Sequence, residues 1–245
     1  MRRHSDHGSG GSAPTQFPRG IDVVYEDPDF VVVDKPSGMV VHPAPGRSEP
    51  AMTDLLVRAY PEMAGVGSRE RPGVVHRLDI GTSGAIVFAR TQRAYLKLRE
   101  AFESHVAVKK TYLAILHGAP EQRRGTLDTL IGKRADGKRM RVVEPGGDGL
   151  RAVTHWETLR KKGGIALVEF TIETGRTHQI RVHAAHLGHP IAGDDLYGDP
   201  TLDRRMAIPP RRLLLHAVQI EFPHPVTGRP VAAVAEPPRD IVFAR

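Results

Sequence analysis

The 245-residue chain has no cysteine, which excludes disulfides, thiolate metal sites and cysteine nucleophiles. It also lacks any apolar run close to the roughly 20 residues that span a bilayer. The basic start, Met1-Arg2-Arg3, is followed by no hydrophobic segment, so it is not a secretory signal. A cytoplasmic protein with no membrane partner is expected. No G-x-x-x-x-G-K-[ST], strand-borne G-x-G-x-x-G, H-E-x-x-H or EF-hand loop is present, so no cofactor and no metal are expected. His178, His183, His186 and His189 have no carboxylate among them and read as core or surface histidines. What is present is ordinary for a globular chain: 40% hydrophobic and 26% charged residues, with a net charge of +7. The length suits one large domain or two small ones.

Residues 1–20 are rich in Gly, Ser and Pro and read as a tail, with ordered structure expected over 21–245. Ile21–Glu26 and Phe30–Asp34 have β-branched strand character and are split by Asp27-Pro28. Met39–His42 is read as a further extended stretch, and 53–60 as a short helix stopped by Pro61. From Thr91, a good N-cap, to Ser104, residues Ala94, Leu98, Ala101 and Phe102 lie at helical spacing. Strands are predicted over 85–89, 111–116 and 166–172, and a helix over 177–187 closed by Gly188. A final hairpin spans 213–222 and 231–235. Many strands, few helices and no regular βαβ alternation predict an α+β fold on a largely antiparallel sheet.

The charge is concentrated. Residues 109–141 hold nine basic residues against three acidic ones, a net of +6. The stretch 132–149, which overlaps the end of this window, is Gly-rich and reads as a flexible basic loop able to follow phosphates. A charge run taken alone is more often a solvated surface, and Tyr112 is the one aromatic interleaved with it.

One segment is distinctive: Val75-His76-Arg77-Leu78-Asp79-Ile80-Gly81-Thr82-Ser83-Gly84. It sets a carboxylate just before a turn of Gly, Thr, Ser and Gly, whose hydroxyls and amides are able to hold it ionised. An isolated Arg-Leu-Asp is common by chance. The longer string His76–Gly84 resembles the H-R-L-D-x-x-T-S-G signature of the RluA-type RNA pseudouridine synthases. Further blocks resemble that family in collinear order: Asp34-Lys35-Pro36-Ser37-Gly38 with Val41-His42-Pro43, Lys109-Lys110-Thr111-Tyr112, and Gly175-Arg176-Thr177-His178-Gln179-Ile180-Arg181-Val182-His183. Gly188-His189-Pro190-Ile191-Ala192-Gly193-Asp194 and Arg212-Leu213-Leu214-Leu215-His216-Ala217 complete the set, which covers about residues 21 to 240.

The resemblance implies the pseudouridine synthase fold with a central basic cleft, and isomerisation of uridine to pseudouridine in rRNA or tRNA with the target base flipped out. It implies Asp79 as the catalytic aspartate, Tyr112 as the tyrosine stacked on the base, and Arg181 as the basic partner of Asp79. Arg181 is expected to flank the packed helix face, able to pair bidentately with Asp79. Arg77, Lys110 and Arg176 are expected to contact RNA, as are Lys133, Arg134, Lys138 and Arg139 of the basic segment. Leu214 or a neighbour is expected as an apolar pocket wall. Longer family members carry an additional N-terminal RNA-binding domain, so the likeness is to the short form, and a monomer is expected. Two other readings compete: an inactive RNA-binding or ribosome-assembly protein on the same fold, and an N-glycosidase using the same aspartate. Retention of Asp79, Tyr112 and Arg181 together weighs against the first.

Overall fold

The structure is a computed structural model that describes residues 21–43, 46, 49–104, 107–209 and 212–242. The 1–20 segment read as a tail lies outside the described residues. Strands β1 (Asp22–Glu26) and β2 (Phe30–Lys35) are followed by α1 (Met52–Ala59), a 3-10 turn (Pro61–Gly65) and the short ribbon β3 (Gly67–Ser68) and β4 (Arg71–Pro72). Then come β5 (Ser83–Ala89), α2 (Gln92–Ser104), β6 (Lys109–His117), β7 (Arg124–Lys133), β8 (Met140–Val143), β9 (Leu150–Lys162) and β10 (Ile165–Ile172). The chain ends with α3 (Gln179–His186), α4 (Pro200–Arg205), β11 (Leu215–Pro223) and β12 (Pro230–Val234). No described helix is long and apolar enough to cross a membrane.

Ten strands form one sheet in the order β1-β2-β5-β11-β6-β10-β9-β7-β8, with β12 also paired to β11. Every pairing in it is antiparallel except the short parallel contact of β5 with β11. The α+β expectation therefore holds.

Burial explains why the central strands read as continuous apolar runs. In β2, Val31 and Val33 enter one core while Phe30 and Val32 enter another on the opposite face. In β5, Ile86 and Phe88 face the first core, and Ala85, Val87 and Ala89 face the second. A strand covered on both faces has no polar side to alternate with. Met52 and Leu56 of α1 and Ile180 and Ala184 of α3 close the first core; Ala94, Leu98 and Phe102 of α2 close the second. As expected, Thr91 caps α2, its Oγ1 accepting from the Ala94 N–H at 3.2 Å.

Three expectations need correction. Met39–His42 joins no strand: it follows the turn at Ser37-Gly38 and bends at Val41-His42, where the Val40 and Val41 carbonyls accept the Met52 and Thr53 N–H groups at the start of α1. The 132–149 segment is not a flexible loop. It belongs to the antiparallel pair β7–β8 and the return into β9, with Leu130–Lys133 in register with Met140–Val143. The helix expected from residue 177 starts at Gln179, since His178 stands in the left-handed region at φ 57°.

Candidate active site

Asp79 sits in the loop that leads into β5, at the middle of the sheet. Its backbone turn is closed by the Thr82 N–H donating to the Asp79 carbonyl at 3.1 Å. A second segment clamps the turn from outside. Lys35 Nζ donates to the Ile80 carbonyl at 3.0 Å, Ser37 Oγ donates to the Gly81 carbonyl at 2.7 Å, and the Gly38 N–H donates to the Ile80 carbonyl at 2.8 Å. The Asp34–Gly38 block therefore holds the loop that carries Asp79. Burial pulls the Lys35 ammonium down to about 7, against the opposing charges of Asp79 and Asp34.

The Thr82 and Ser83 hydroxyls do not hold the Asp79 carboxylate, contrary to expectation. Ser83 Oγ is bonded to His216 Nδ1 at 3.0 Å, and Thr82 is buried. Gly84 is required where it stands: its φ is +112°, and a Cβ there would collide with the Ala217 backbone of the parallel neighbour β11.

The basic partner arrives on α3. Arg181 Nη1 lies 3.6 Å from Asp79 Oδ2. Its stronger engagement is with Asp194, to which Nε and Nη2 donate at 2.8 and 2.6 Å. The bidentate pairing expected toward Asp79 is thus made to Asp194, and Arg181 is 6% exposed and not on the flank of its helix. Burial works against the guanidinium charge, but Asp194, then Asp79 and Asp195, outweigh it and raise the pKa. Asp194 also accepts the Leu196 and Tyr197 N–H groups at 2.9 and 3.0 Å, so its carboxylate is saturated with donors.

Asp79 and Arg181 line a cleft of about 690 Å³ together with Arg77, His178, Asp195 and Leu213. A smaller cavity of about 70 Å³ shares Arg77, Asp79, His178 and Arg181 and adds Tyr112, Arg176 and Leu215. Tyr112, on β6, is 7% exposed, and burial followed by the charge of Asp79 pushes its phenol up. The chain at α3 is latched by Gln179. Its Nε2 donates to the Val153 carbonyl and Thr154 Oγ1, both at 2.9 Å, and its Oε1 accepts from the Arg176 N–H at 3.0 Å. His178 Nδ1 meets the Tyr197 hydroxyl at 2.9 Å, and that hydroxyl accepts the Met140 N–H of β8 at 2.8 Å. Burial lowers the His178 pKa. His183 instead bonds Thr129 and Thr154, and His189 meets the His117 carbonyl, so the four histidines do not converge.

The remaining expected residues are spread more widely. Arg77 is exposed at the cleft edge, and Arg176 Nε donates to the Arg151 carbonyl at 2.9 Å. Lys110 is buried, so it does not stand on an open RNA-facing surface; burial, then Arg176, brings its pKa down to about 8. Leu214 points the other way, into a separate core with Ile115, Ala192 and Ile241, and its neighbours Leu213 and Leu215 face the cavities. Lys133, Arg134 and Lys138 are exposed around the β7–β8 connection, and Arg139 is half-buried with its Nε bonded to Asp136 at 2.7 Å. Sequence reading missed Lys35, Asp194 and Tyr197 as contributors. Lys35 and Asp194 lie inside motif strings, and that was the signal available.

Residues 29–186 match the RNA pseudouridylate synthase family profile. The chain belongs to that family. Among curated relatives it is 39% identical over 219 residues to an uncharacterized RNA pseudouridine synthase of Synechocystis, covering 89% of this chain and 66% of the relative. It is 40% identical over 239 residues to the ribosomal large subunit pseudouridine synthase D of Xanthomonas campestris, covering 94% of this chain and 69% of the relative. The chain thus spans about two thirds of the length of these relatives. Its fold is similar to that of the human RNA pseudouridylate synthase domain containing 4, with a TM-score of 0.71 at 28% identity and 89% coverage of both chains. The family is one of RNA-modifying isomerases.

Proposed function

We propose that this chain converts uridine in RNA to pseudouridine, with Asp79 as the catalytic carboxylate, Arg181 as its charge partner and Tyr112 as the wall against the target base. The observation that carries this reading is the 3.6 Å approach of Arg181 to Asp79 in a cleft that also reaches Tyr112.

In the reaction the N1–C1′ bond breaks, the base turns, and a C5–C1′ bond forms. The C5 proton is lost and N1 regains one, so the change is redox-neutral and needs no cofactor. A carboxylate beside the sugar has two ways to serve it. It attacks or stabilises the anomeric carbon, or it removes a sugar proton so that a glycal forms. Both need a negatively charged oxygen at the sugar, and Arg181 stands 3.6 Å from Asp79 as its counter-charge. Tyr112, with its phenol pushed above its ordinary value, keeps its proton and presents a neutral ring face. The base must leave its stack to reach this depth, which costs a few kcal/mol and favours loop or single-stranded uridines. Arg77 at the cleft edge, Arg176 in the inner cavity and the β7–β8 cations supply positive charge along the approach.

The substrate class proposed is a loop uridine of rRNA or tRNA, acted on by a monomer in the cytoplasm. The test is tritium release from RNA labelled at uracil C5. Wild-type chain is expected to release it, and folded Asp79→Ala or Asp79→Asn to release none. Free uracil among the products would mean an N-glycosidase, and activity surviving in Asp79→Ala would remove Asp79 from the catalytic role.

A further inference from the structure

A second groove of about 750 Å³ opens beside the catalytic cleft, between α1 and the β3–β4 ribbon. Two polar atoms in its lining residues are buried and have no hydrogen-bond partner among the described residues: His42 Nδ1 and Thr53 Oγ1. Thr53 is 1% exposed, so its hydroxyl has been withdrawn from water without compensation. Along the same groove stand Arg58, Arg69 and Arg71, all exposed and in no ion pair with the described residues. Of the two acids in the lining, Asp54 is engaged at its own helix start, its Oδ2 accepting the Ala51 N–H at 2.9 Å. Glu70 is exposed beside Arg69 and Arg71 and offsets one of the three charges.

The groove adjoins the catalytic cleft along the 38–42 segment: Gly38 lines the cleft and His42 lines the groove. Arg71 and Arg77 both act on the His42 ring, lowering its pKa in addition to burial, and Arg77 lines the cleft that holds Asp79. Arginine forks match phosphate oxygens, and three exposed ones line this groove.

We infer that this groove binds phosphodiester groups of the RNA strand flanking the target uridine, through Arg58, Arg69 and Arg71. The inference rests on the RNA reading above and adds the course of the strand. The groove serves affinity, not chemistry.

The experiment measures binding of a labelled 20-residue oligouridylate to the full chain across a series of salt concentrations. Each phosphate neutralised on a single strand contributes about 0.7 to the slope of log affinity against log salt. Arg69→Ala/Arg71→Ala is expected to lower the slope by about 1.4 and weaken binding roughly tenfold near 0.1 M salt. Arg58→Ala, on a different element, is expected to remove a further ~0.7, which keeps the result independent of ribbon folding. In tritium release, the double variant should raise KM and leave kcat intact. A wild-type slope in both arginine variants would overturn the inference, and so would a loss of kcat at constant KM. If polyglutamate binding depends on Arg69 and Arg71 while the oligouridylate slope does not, the groove belongs to an acidic protein partner instead. Failure of the wild-type chain to bind oligouridylate at all would sink the RNA reading itself, a result distinct from any of these.

Discussion

Arg181 donates to Asp194 at 2.8 and 2.6 Å but approaches Asp79 at 3.6 Å, so the guanidinium is anchored on one carboxylate and presented to another. The two acids differ in exposure. The Asp194 side chain is fully buried, whereas that of Asp79 is 19% exposed and lines the cleft. Asp195, at 70% exposure, reaches Arg181 at 3.2 Å and adds little through solvent. The pair that fixes geometry is Arg181–Asp194; the pair that faces the cleft is Arg181–Asp79.

That division gives a stability prediction and an activity prediction for one substitution. Asp194→Ala strands a buried guanidinium, and breaking such a pair costs roughly 3–5 kcal/mol. Replacing both partners, as in Arg181→Met/Asp194→Leu, should recover much of that stability in urea unfolding. Tritium release should fall about 100-fold or more in Asp194→Ala, the scale on which a misplaced group acts. It should stay absent in the double variant although that variant is stable. Full kcat in Asp194→Ala would show that Arg181 needs no anchor.

Lys35 yields a pH prediction. Its Nζ donates to the carbonyls of Pro36, Met39 and Ile80, at 3.0, 2.9 and 3.0 Å, which matches the three donors of an ammonium. Burial nevertheless brings its pKa from the ordinary lysine value of 10.5 down to about 7. Between those values the unfolded chain binds more protons than the folded one, so stability rises with pH across that window. The burial penalty is fully present below about pH 7 and is gone above about 10.5. In urea unfolding, wild type should gain on Lys35→Met by up to about 1.4 kcal/mol per pH unit between pH 7 and 10.5. A flat difference would mean that Lys35 keeps its normal affinity for protons.

The chemistry-bearing residues were more legible in sequence than their supports. Asp79, Tyr112 and Arg181 lie in strings whose residue order is itself informative, and the structure brings all three to adjoining cavities. Asp194 was not legible, because a carboxylate in a Gly-Asp-Asp turn reads as solvated. It is buried only by the packing of α3 against that turn. Strand β7 was hidden for a related reason. Gly125 suggests a loop, yet it is small because the Trp156 ring of β9 lies where a Cβ would be. Its alternation is blurred further, because β7 is only partly covered. Periodicity reports burial, and half-covered strands at the end of a sheet carry little of it.

The three leucines before and at the start of β11 are identical in type and opposite in task. Leu214→Ala empties a site shared with Ile115 and Ala192 and should cost about 2–5 kcal/mol, with KM for RNA unchanged. Leu213→Ala also weakens packing, but it alters the wall of the 690 Å³ cleft and should raise KM several-fold. Equal KM values for the two variants, measured at a temperature where both are folded, would remove Leu213 from the substrate wall.

The β7–β8 connection makes the last prediction, and the structure sharpens it. Lys133, Arg134 and Lys138 are exposed and in no ion pair with the described residues, whereas Arg139 is tied to Asp136, which also accepts the Lys138 and Arg139 N–H groups. Phosphate binding there should depend on the first three. Lys133→Glu/Arg134→Glu/Lys138→Glu is expected to lower the salt slope of oligouridylate binding by about 2, at roughly 0.7 for each phosphate no longer neutralised. Arg139→Glu has to break an existing pair before it changes the field. It also unpins the connection itself, so it should alter stability more than slope. Tyr197 ties this hairpin to the catalytic cleft, accepting the Met140 N–H with the same hydroxyl that meets His178. If the hairpin grips RNA, Tyr197→Phe should raise KM while the salt slope stays at the wild-type value. A triple variant that keeps the wild-type slope would leave the hairpin's charge without a part in RNA binding.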